Sequence, residues 1–280
     1  MVMHLPVPLH DSLGLVDEVV DERAAGINAA YFDGIRQEWS SRVAAYLQHQ
    51  GSPEHVQRWN AIPAARKTSF LNLYLAPDDD SAQGKMLADL RDHKLTICPA
   101  CGELGRPNTL DHYLPKGKYP HFCVTPANLF PMCDACQRAK LEKTGTADEP
   151  RFFLHPYFDV FIAEQVISVE IQPPYASPTF AMTLSDQLTA GQCAVMASHL
   201  RELLIEQRFA HYFKAESLRT LKLVQTLRES GLPVVATLHA FEARSRMPAL
   251  NSWEHVYWSA VTGNAAMLDF LENGELPDFL

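Results

Sequence analysis

Residues 96–137 read TICPACGELGRPNTLDHYLPKGKYPHFCVTPANLFPMCDACQ, and the expected fold follows from the cysteines in this segment. Near its two ends stand C-x-x-C pairs, Cys98 with Cys101 and Cys133 with Cys136. Each pair presents two thiolates from a tight turn, and two pairs complete the tetrahedral shell of a zinc ion. Four sulfurs leave no position for water, so we expect a structural zinc that ties the ends of the stretch together. Chance placement without a metal is the alternative.

The other two cysteines, Cys123 and Cys193, lie outside any metal-binding spacing. A lone cysteine usually packs as a small apolar residue, so both are predicted to be buried free thiols. The chain has no apolar run of about 18 residues and no secretory signal at its start, which predicts a cytoplasmic protein without membrane association. Thiols stay reduced in that compartment, and disulfide bonds are not expected.

The formal net charge of -9 is unfavourable for a phosphate-rich partner, but the charge is unevenly distributed. Residues 94–143 carry seven Lys and Arg against four Asp and Glu, whereas both flanks are acidic. This basic segment allows a local nucleic-acid site, and a solvated mixed surface is the alternative. The candidate phosphate contacts are Lys116, Lys118, Arg138 and Lys140.

Helical periodicity dominates both flanks of the basic segment. Helices are predicted at residues 11–50, 54–75, 81–93, 185–230, 253–261 and 265–272, with Asp80 or Ser81, Asn251 and Asn264 as N-caps. Residues 185–230 fit one long helix or two shorter ones. An alternating β-branched run at 166–171 predicts a short strand before Pro173. We therefore expect a mainly helical α+β protein with regions 1–95, 96–145 and 146–280.

Between the cysteine pairs stand Asp111 and His112, followed by Asn128. Hydrolysis of a phosphodiester needs a base for water, a cation to balance developing charge, and donors that position the phosphate. Asp111 offers a hard oxygen to Mg²⁺ or Mn²⁺, and the imidazole of His112 suits the general base. Strand neighbours face opposite sides unless the strand bends, so a local distortion is expected. Structurally, Asp111 could instead cap a turn while His112 packs beneath Tyr113.

These residues resemble the HNH endonucleases of the ββα-metal group over about residues 96–145. The segments 109–116, 128–131 and 155–159 are similar to nuclease subunits of Septu-type anti-phage systems, including those attached to retrons. The resemblance implies a zinc-stapled ββα-metal HNH module embedded between helical flanks, with His112 as general base and Asp111 as metal ligand. It implies that Asn128 holds the hairpin loop by hydrogen bonds.

The same resemblance implies cleavage of DNA, or alternatively RNA, that leaves a 5′-phosphate and a 3′-hydroxyl. It also implies a larger regulatory ATPase as partner, with phage nucleic acid as the target and a retron as a further component. The acidic helical flanks are then expected to be docking surface for that partner rather than a nucleic-acid surface.

One position departs from the family pattern. The family places His or Asn as the second metal ligand directly after the last cysteine, where this chain has Gln137. An amide oxygen can bind a hard cation, but the extra methylene shifts it, and Mg²⁺ demands near-ideal geometry. His121 or His155 could substitute, although a core or surface role is expected for each. A second hypothesis is therefore a zinc-stabilised adaptor with a weakened catalytic centre that binds nucleic acid or the ATPase.

Overall fold

The computed structural model describes residues 2–278 and has an α+β fold, about 49% helical with two small antiparallel sheets. This confirms the predicted class. The chain divides into two structural units. One comprises Leu5–Leu95 and Pro107–Asp159, and the other comprises the described residues of Met1–His4, Thr96–Arg106 and Val160–Leu280. The division into regions 1–95, 96–145 and 146–280 follows motifs rather than contacts and stays a prediction.

The unit built from Leu5–Leu95 and Pro107–Asp159 holds four helices, a hairpin and a short fifth helix. In chain order these are α1 (Gly14–Asp21), α2 (Ala29–Gln48), α3 (Ala64–Leu75), α4 (Ala82–Arg91), β1 (Thr109–His112), β2 (Leu129–Met132) and α5 (Asp134–Lys140). Single turns of 3-10 helix at Pro120–Phe122 and Pro126–Asn128 interrupt the long connection between β1 and β2.

The helix predicted at 54–75 is only half formed. It begins at Ala64, because Pro63 has an extended backbone and stands at the N-cap. The helix predicted at 81–93 is confirmed as α4, and the Oγ of Ser81 accepts a hydrogen bond from the Gly84 N–H at 3.2 Å. Serine at an N-cap satisfies one of the amides that a helix start leaves without a partner.

An aromatic cluster forms the core of this unit. The ring centroids of Trp39 and Phe70 are 5.0 Å apart in an edge-to-face contact, and Phe32 packs on both. Trp39 also donates its indole N–H to the carbonyl of His121 at 2.7 Å, both groups being buried. The core helices α2 and α3 thereby hold the connection that follows β1.

The second unit consists of a two-stranded sheet and five helices in its described residues. They are β3 (Ile167–Gln172), β4 (Thr179–Leu184), α6 (Ala190–Glu202), α7 (Ile205–Glu229), α8 (Val234–Ser245), α9 (Trp253–Gly263) and α10 (Ala265–Asn273). The predicted strand is confirmed as β3. Its partner β4 was not predicted, since its side chains are exposed or half-buried on both faces and leave no clear alternation.

The helical pattern at 185–230 resolves into α6 and α7. Leu204 separates them with a φ of 54° in the left-handed region, which a regular helix cannot include. Asn264 caps α10 as predicted, accepting from the Met267 N–H at 2.9 Å. The prediction for Asn251 was wrong. Ser252 caps α9, and the Asn251 amide instead accepts from the Val166 N–H at 2.8 Å, ahead of β3.

None of the helices in the described part of the chain combines the length and the apolar character needed to cross a bilayer.

Candidate functional site

The candidate site lies where β1 ends beside α5. Strands β1 and β2 pair antiparallel with Asp111 opposite Phe130 and His112 opposite Leu129. Helix α5 follows β2 directly and packs against β1. A cavity of about 350 Å³ opens there. Its polar lining comprises Asp111, His112, Lys116, Gln137, Arg138, Lys140 and Glu142.

Asp111 and His112 both line this cavity, although they are neighbours on a strand. The pairing of β1 with β2 is regular from Thr109 to His112, so no bulge within the strand brings them together. His112 is instead the last residue of β1, where the chain leaves the sheet. The two side chains therefore reach the same cavity because β1 ends at His112, and not because the strand is distorted.

The imidazole of His112 is buried and fixed by its surroundings. Its Nε2 lies 2.9 Å from the carbonyl oxygen of Cys123. A carbonyl can only accept, so Nε2 carries the proton and Nδ1 is left with the basic lone pair. The ring of Tyr74 packs edge-on against the imidazole, with 4.4 Å between centroids. Burial lowers the pKa of His112 to about 3, although the Asp111 charge opposes this shift.

The carboxylate of Asp111 already has a cationic neighbour. The Lys140 ammonium lies 2.9 Å from Oδ2 of Asp111, and it also donates to the carbonyl of His112 at 2.6 Å. The Gln137 side chain approaches the other carboxylate oxygen, with Nε2 at 3.5 Å from Oδ1. The structure thus places the predicted second ligand next to the predicted first one.

Asn128 is fully buried and spans the two ends of the connection between the strands. Its Oδ1 accepts from the Leu114 N–H at 2.7 Å, and its Nδ2 donates to the carbonyls of Leu114 and Phe122 at 3.1 Å each. The Asn128 carbonyl also accepts from the Tyr113 N–H at 2.8 Å. Four hydrogen bonds through one residue fix the path of the chain directly after His112.

The candidate phosphate contacts differ in exposure. Arg138 is exposed, Lys116 is half-buried with its ammonium 5.4 Å from the centre of the Tyr74 ring, and Lys118 donates to the carbonyl of Glu142 at 2.6 Å. Lys140 is 1% exposed and is engaged by Asp111 and His112. It faces the carboxylate of the site rather than the outer surface where a nucleic-acid backbone would first make contact.

The two histidines considered as substitute ligands lie elsewhere in the same unit. His121 and His155 are fully buried, and neither belongs to the described lining of the cavity. The Nε2 of His155 lies 3.0 Å from the hydroxyl of Tyr46. His121 packs edge-on against Trp59 with 5.4 Å between ring centroids. Both are core histidines, which leaves the Gln137 amide as the candidate oxygen donor beside Asp111 on α5.

The four zinc-spaced cysteines come together as predicted. The ligand atoms of Cys98, Cys101, Cys133 and Cys136 all lie within 4.8 Å of one another. A tetrahedral shell with Zn–S bonds of about 2.3 Å has sulfur–sulfur edges of about 3.8 Å, so this cluster can hold a metal such as zinc.

A cation adjoins one of these sulfurs. Arg208 donates to the Sγ of Cys101 at 3.0 Å, and a positive group at this distance offsets the charge of a bound thiolate. The remaining cysteines differ in burial. Cys123 is buried and donates its thiol to the carbonyl of Phe70 at 2.9 Å, whereas Cys193 is only half-buried.

Two contributors to the site escaped the sequence analysis. Tyr74 on α3 packs on His112 and also donates its hydroxyl to the carbonyl of Leu110 at 2.7 Å. Tyr157 donates to the carbonyl of Leu129, which pairs with His112 across the hairpin. A single tyrosine in a helical pattern carries no signal for such a role. The segment 155–159 around Tyr157 resembles the nuclease subunits, but this resemblance assigns no role to the tyrosine.

Comparison with known proteins gives one partial relationship. A stretch of 70 residues, 24% of this chain, is 40% identical to Protein ea31 of Escherichia phage lambda. The stretch covers 24% of that protein as well, so the chain spans about a quarter of the curated relative it matches. No protein-family model matches the chain, and no solved structure matches it.

Proposed function

We propose that this protein is a metal-dependent HNH-type endonuclease that hydrolyses phosphodiester bonds of DNA. The observation that carries the proposal is the pairing of groups at the end of β1. His112, whose tautomer is fixed by the Cys123 carbonyl, and the carboxylate of Asp111 line one cavity of a size suited to a phosphate group. With His112 neutral, the lining carries three cationic and two anionic side chains, which favours an anionic substrate.

His112 is the proposed general base. Its Nδ1 accepts a proton from the attacking water, and the imidazolium then keeps its Nε2–H bond to the Cys123 carbonyl. A pKa of about 3 makes the imidazole a weak base in the free protein. The imidazole is therefore neutral at the working pH, with its lone pair on Nδ1 as the proton acceptor.

The donor set beside His112 fits a hard cation of the Mg²⁺ or Mn²⁺ type. Such ions commonly take one or two protein oxygens and complete their shell with water and substrate phosphate. Oδ1 of Asp111 and, after rotation of its amide, the oxygen of Gln137 can provide those two oxygens. When bound, the ion would stabilise charge on the scissile phosphate and on the leaving oxygen. Lys116 and Arg138 on the cavity rim would position the phosphate.

The resemblance to Septu-type nuclease subunits extends the proposal to its setting. We propose that the protein is cytoplasmic and serves as the effector nuclease of an anti-phage complex, in which a larger ATPase controls cleavage. Residues 144–280 carry nine Lys and Arg against 16 Asp and Glu. An acidic surface repels nucleic acid and leaves this part of the chain available for the protein partner.

A plasmid-nicking assay with Mg²⁺ or Mn²⁺, with and without the ATPase, tests the proposed chemistry. Removal of the general base by His112→Ala should lower the nicking rate by about 100-fold or more. The matched control is His49→Ala, since His49 is exposed and lies at the end of α2. A chelator should abolish nicking, and added Mg²⁺ should restore it. Nicking that survives both His112→Ala and the chelator would refute the mechanism.

A specific observation favours a second candidate, the zinc-stabilised adaptor. Lys140 forms an ion pair with Asp111, and Gln137 is uncharged. The Asp111 carboxylate is therefore neutralised by the protein itself and needs no divalent cation. The adaptor would bind DNA or the ATPase without cleaving. Wild-type protein that retards DNA in gel electrophoresis, yet leaves it intact with Mg²⁺ and the ATPase present, would favour this candidate over the nuclease.

A further inference from the structure

We propose that Lys140 neutralises Asp111 in the free protein, so that the divalent cation binds only together with a phosphodiester. The inference rests on the proposed function, because it takes Asp111 to be the cation ligand. It adds an order of binding and makes Lys140 a positioning residue of the site. The mechanism above uses Lys140 in no chemical step.

The contacts of the Lys140 ammonium carry the argument. It lies 2.9 Å from Oδ2 of Asp111 and donates to the carbonyl of His112 at 2.6 Å. The ring of Phe153 covers it, with 5.8 Å from Nζ to the ring centre. A lysine that is 1% exposed needs such partners, because a buried charge is costly unless it is paired and hydrogen-bonded. Lys140 is therefore built into the site.

The charge balance explains why a cation should not bind to the empty cavity. The ion pair of Asp111 with Lys140 has no net charge, and Gln137 adds only a neutral amide. Lys116 and Arg138 contribute further positive charge at the rim. A divalent ion entering alone would meet one available oxygen of Asp111 and a lining that, with Glu142 counted, still carries one net positive charge. Coulomb energies at these distances change ion affinity by much more than tenfold.

A bound phosphodiester reverses this balance. It brings one negative charge and two unesterified oxygens into the cavity, which are ligands that Mg²⁺ and Mn²⁺ prefer. The ammonium of Lys140 can then remain on Oδ2 of Asp111 while Oδ1 joins the cation. The chemistry required for cation binding is thus assembled from protein and substrate together. In this arrangement the protein binds no divalent cation at Asp111 in the absence of nucleic acid and is inactive.

The test measures Mn²⁺ binding to the full, zinc-loaded chain by electron paramagnetic resonance, which needs no turnover. Lys140→Met should tighten Mn²⁺ binding at least tenfold in the absence of DNA, because Asp111 recovers its net charge. Lys85→Met, an exposed lysine on α4, is the matched control and should leave the affinity unchanged. Adding Asp111→Asn to Lys140→Met should abolish the gain. An affinity of Lys140→Met within twofold of the wild type would overturn the proposal.

Folding of the variants is checked by circular dichroism. If Lys140→Met does not fold, Lys140→Gln replaces it, since glutamine retains a donor for the His112 carbonyl without the charge. The same gain in Mn²⁺ affinity is expected, and its absence overturns the proposal equally.

A second measurement tests the role of the phosphodiester. Short duplex DNA is added to His112→Ala, which is not expected to cleave, and to the double variant Asp111→Asn/His112→Ala. The difference between the Mn²⁺ affinities of these two variants gives the contribution of Asp111. This difference should appear only when DNA is present. Equal curves with DNA present would overturn the proposed order of binding. Failure of the nuclease proposal itself would show separately, as nicking that persists without His112.

Discussion

Replacement of His121 by phenylalanine should remove part of the acid sensitivity of the fold. His121 is fully buried, and neither of its ring nitrogens has a hydrogen-bond partner in the described structure. Burial, and secondarily the positive charge of Arg42, lowers the pKa of His121 from 6.5 to about 3. Below pH 6.5 the unfolded chain binds a proton at this residue while the folded chain does not, so stability falls as the pH falls.

The magnitude follows from the size of this pKa shift. Each pH unit below 6.5 costs about 1.4 kcal/mol until the folded pKa is reached, which gives roughly 2 kcal/mol at about pH 5. His121→Phe removes this cost, because phenylalanine binds no proton. The neighbouring rings of Trp59, Tyr119 and Phe122 suit an apolar aromatic side chain. His112 and His155 keep their lowered pKa values, so the variant should remain partly acid-sensitive.

Urea unfolding at two pH values provides the assay. Trp39 and Trp59 belong to the same unit and supply a fluorescence signal for its unfolding. The loss of stability between about pH 7.5 and pH 5 should be about 2 kcal/mol smaller in His121→Phe than in the wild type. Comparing each protein with itself cancels any effect of packing that is independent of pH. Equal losses in both proteins, or a His121 NMR resonance that titrates near pH 6.5, would refute the reasoning.

Three further predictions concern the site and the second unit. Asn128→Ala should destabilise the protein by about 3 kcal/mol in urea unfolding, because the buried N–H and carbonyl of Leu114 lose the Asn128 amide and the Phe122 carbonyl keeps only its bond from the Thr125 N–H; a loss below 1 kcal/mol would contradict this. Cys136→Ser should lower the zinc content measured with a chromogenic chelator, whereas Cys193→Ser, outside the cluster, should not. Asn251→Ala should cost about 2 kcal/mol in thermal unfolding, since Val166 and two carbonyls lose its amide; Ser252→Ala should cost about half as much.

Local signals in the sequence predicted the elements that depend on local physics. The periodicity of 166–171 predicted β3, and asparagine before an apolar run predicted the cap of α10. Residues decided by distant contacts could not be read in the same way. Asparagine is a favoured N-cap residue, but the side-chain amide of Asn251 accepts a hydrogen bond from the backbone N–H of Val166, 85 residues away in sequence. Nothing in the local pattern distinguishes these two uses of one side chain.

The candidate site shows the same division. The C-x-x-C spacing predicted that four sulfurs meet, because ligand spacing is itself a local signal. The position of Gln137 beside Asp111 was implied by the family resemblance, which sets the second ligand directly after the last cysteine. The burial of Lys140 was not predictable, since a lysine next to other basic residues on a short helix is normally solvated. The Lys140 side chain is buried because the hairpin packs against α5, and the sequence of α5 alone does not predict that packing.

The bond from His112 to residue 123 goes to the main chain, not to a side chain. Every amino acid carries the same carbonyl, so the proton on Nε2 is specified by the course of the backbone and is insensitive to which residue occupies that place. Substitutions of Cys123 would change the packing volume and remove the thiol's bond to the Phe70 carbonyl, while the bond that orients the imidazole would be retained. The side chain at position 123 can therefore change during evolution while the tautomer of His112 is retained.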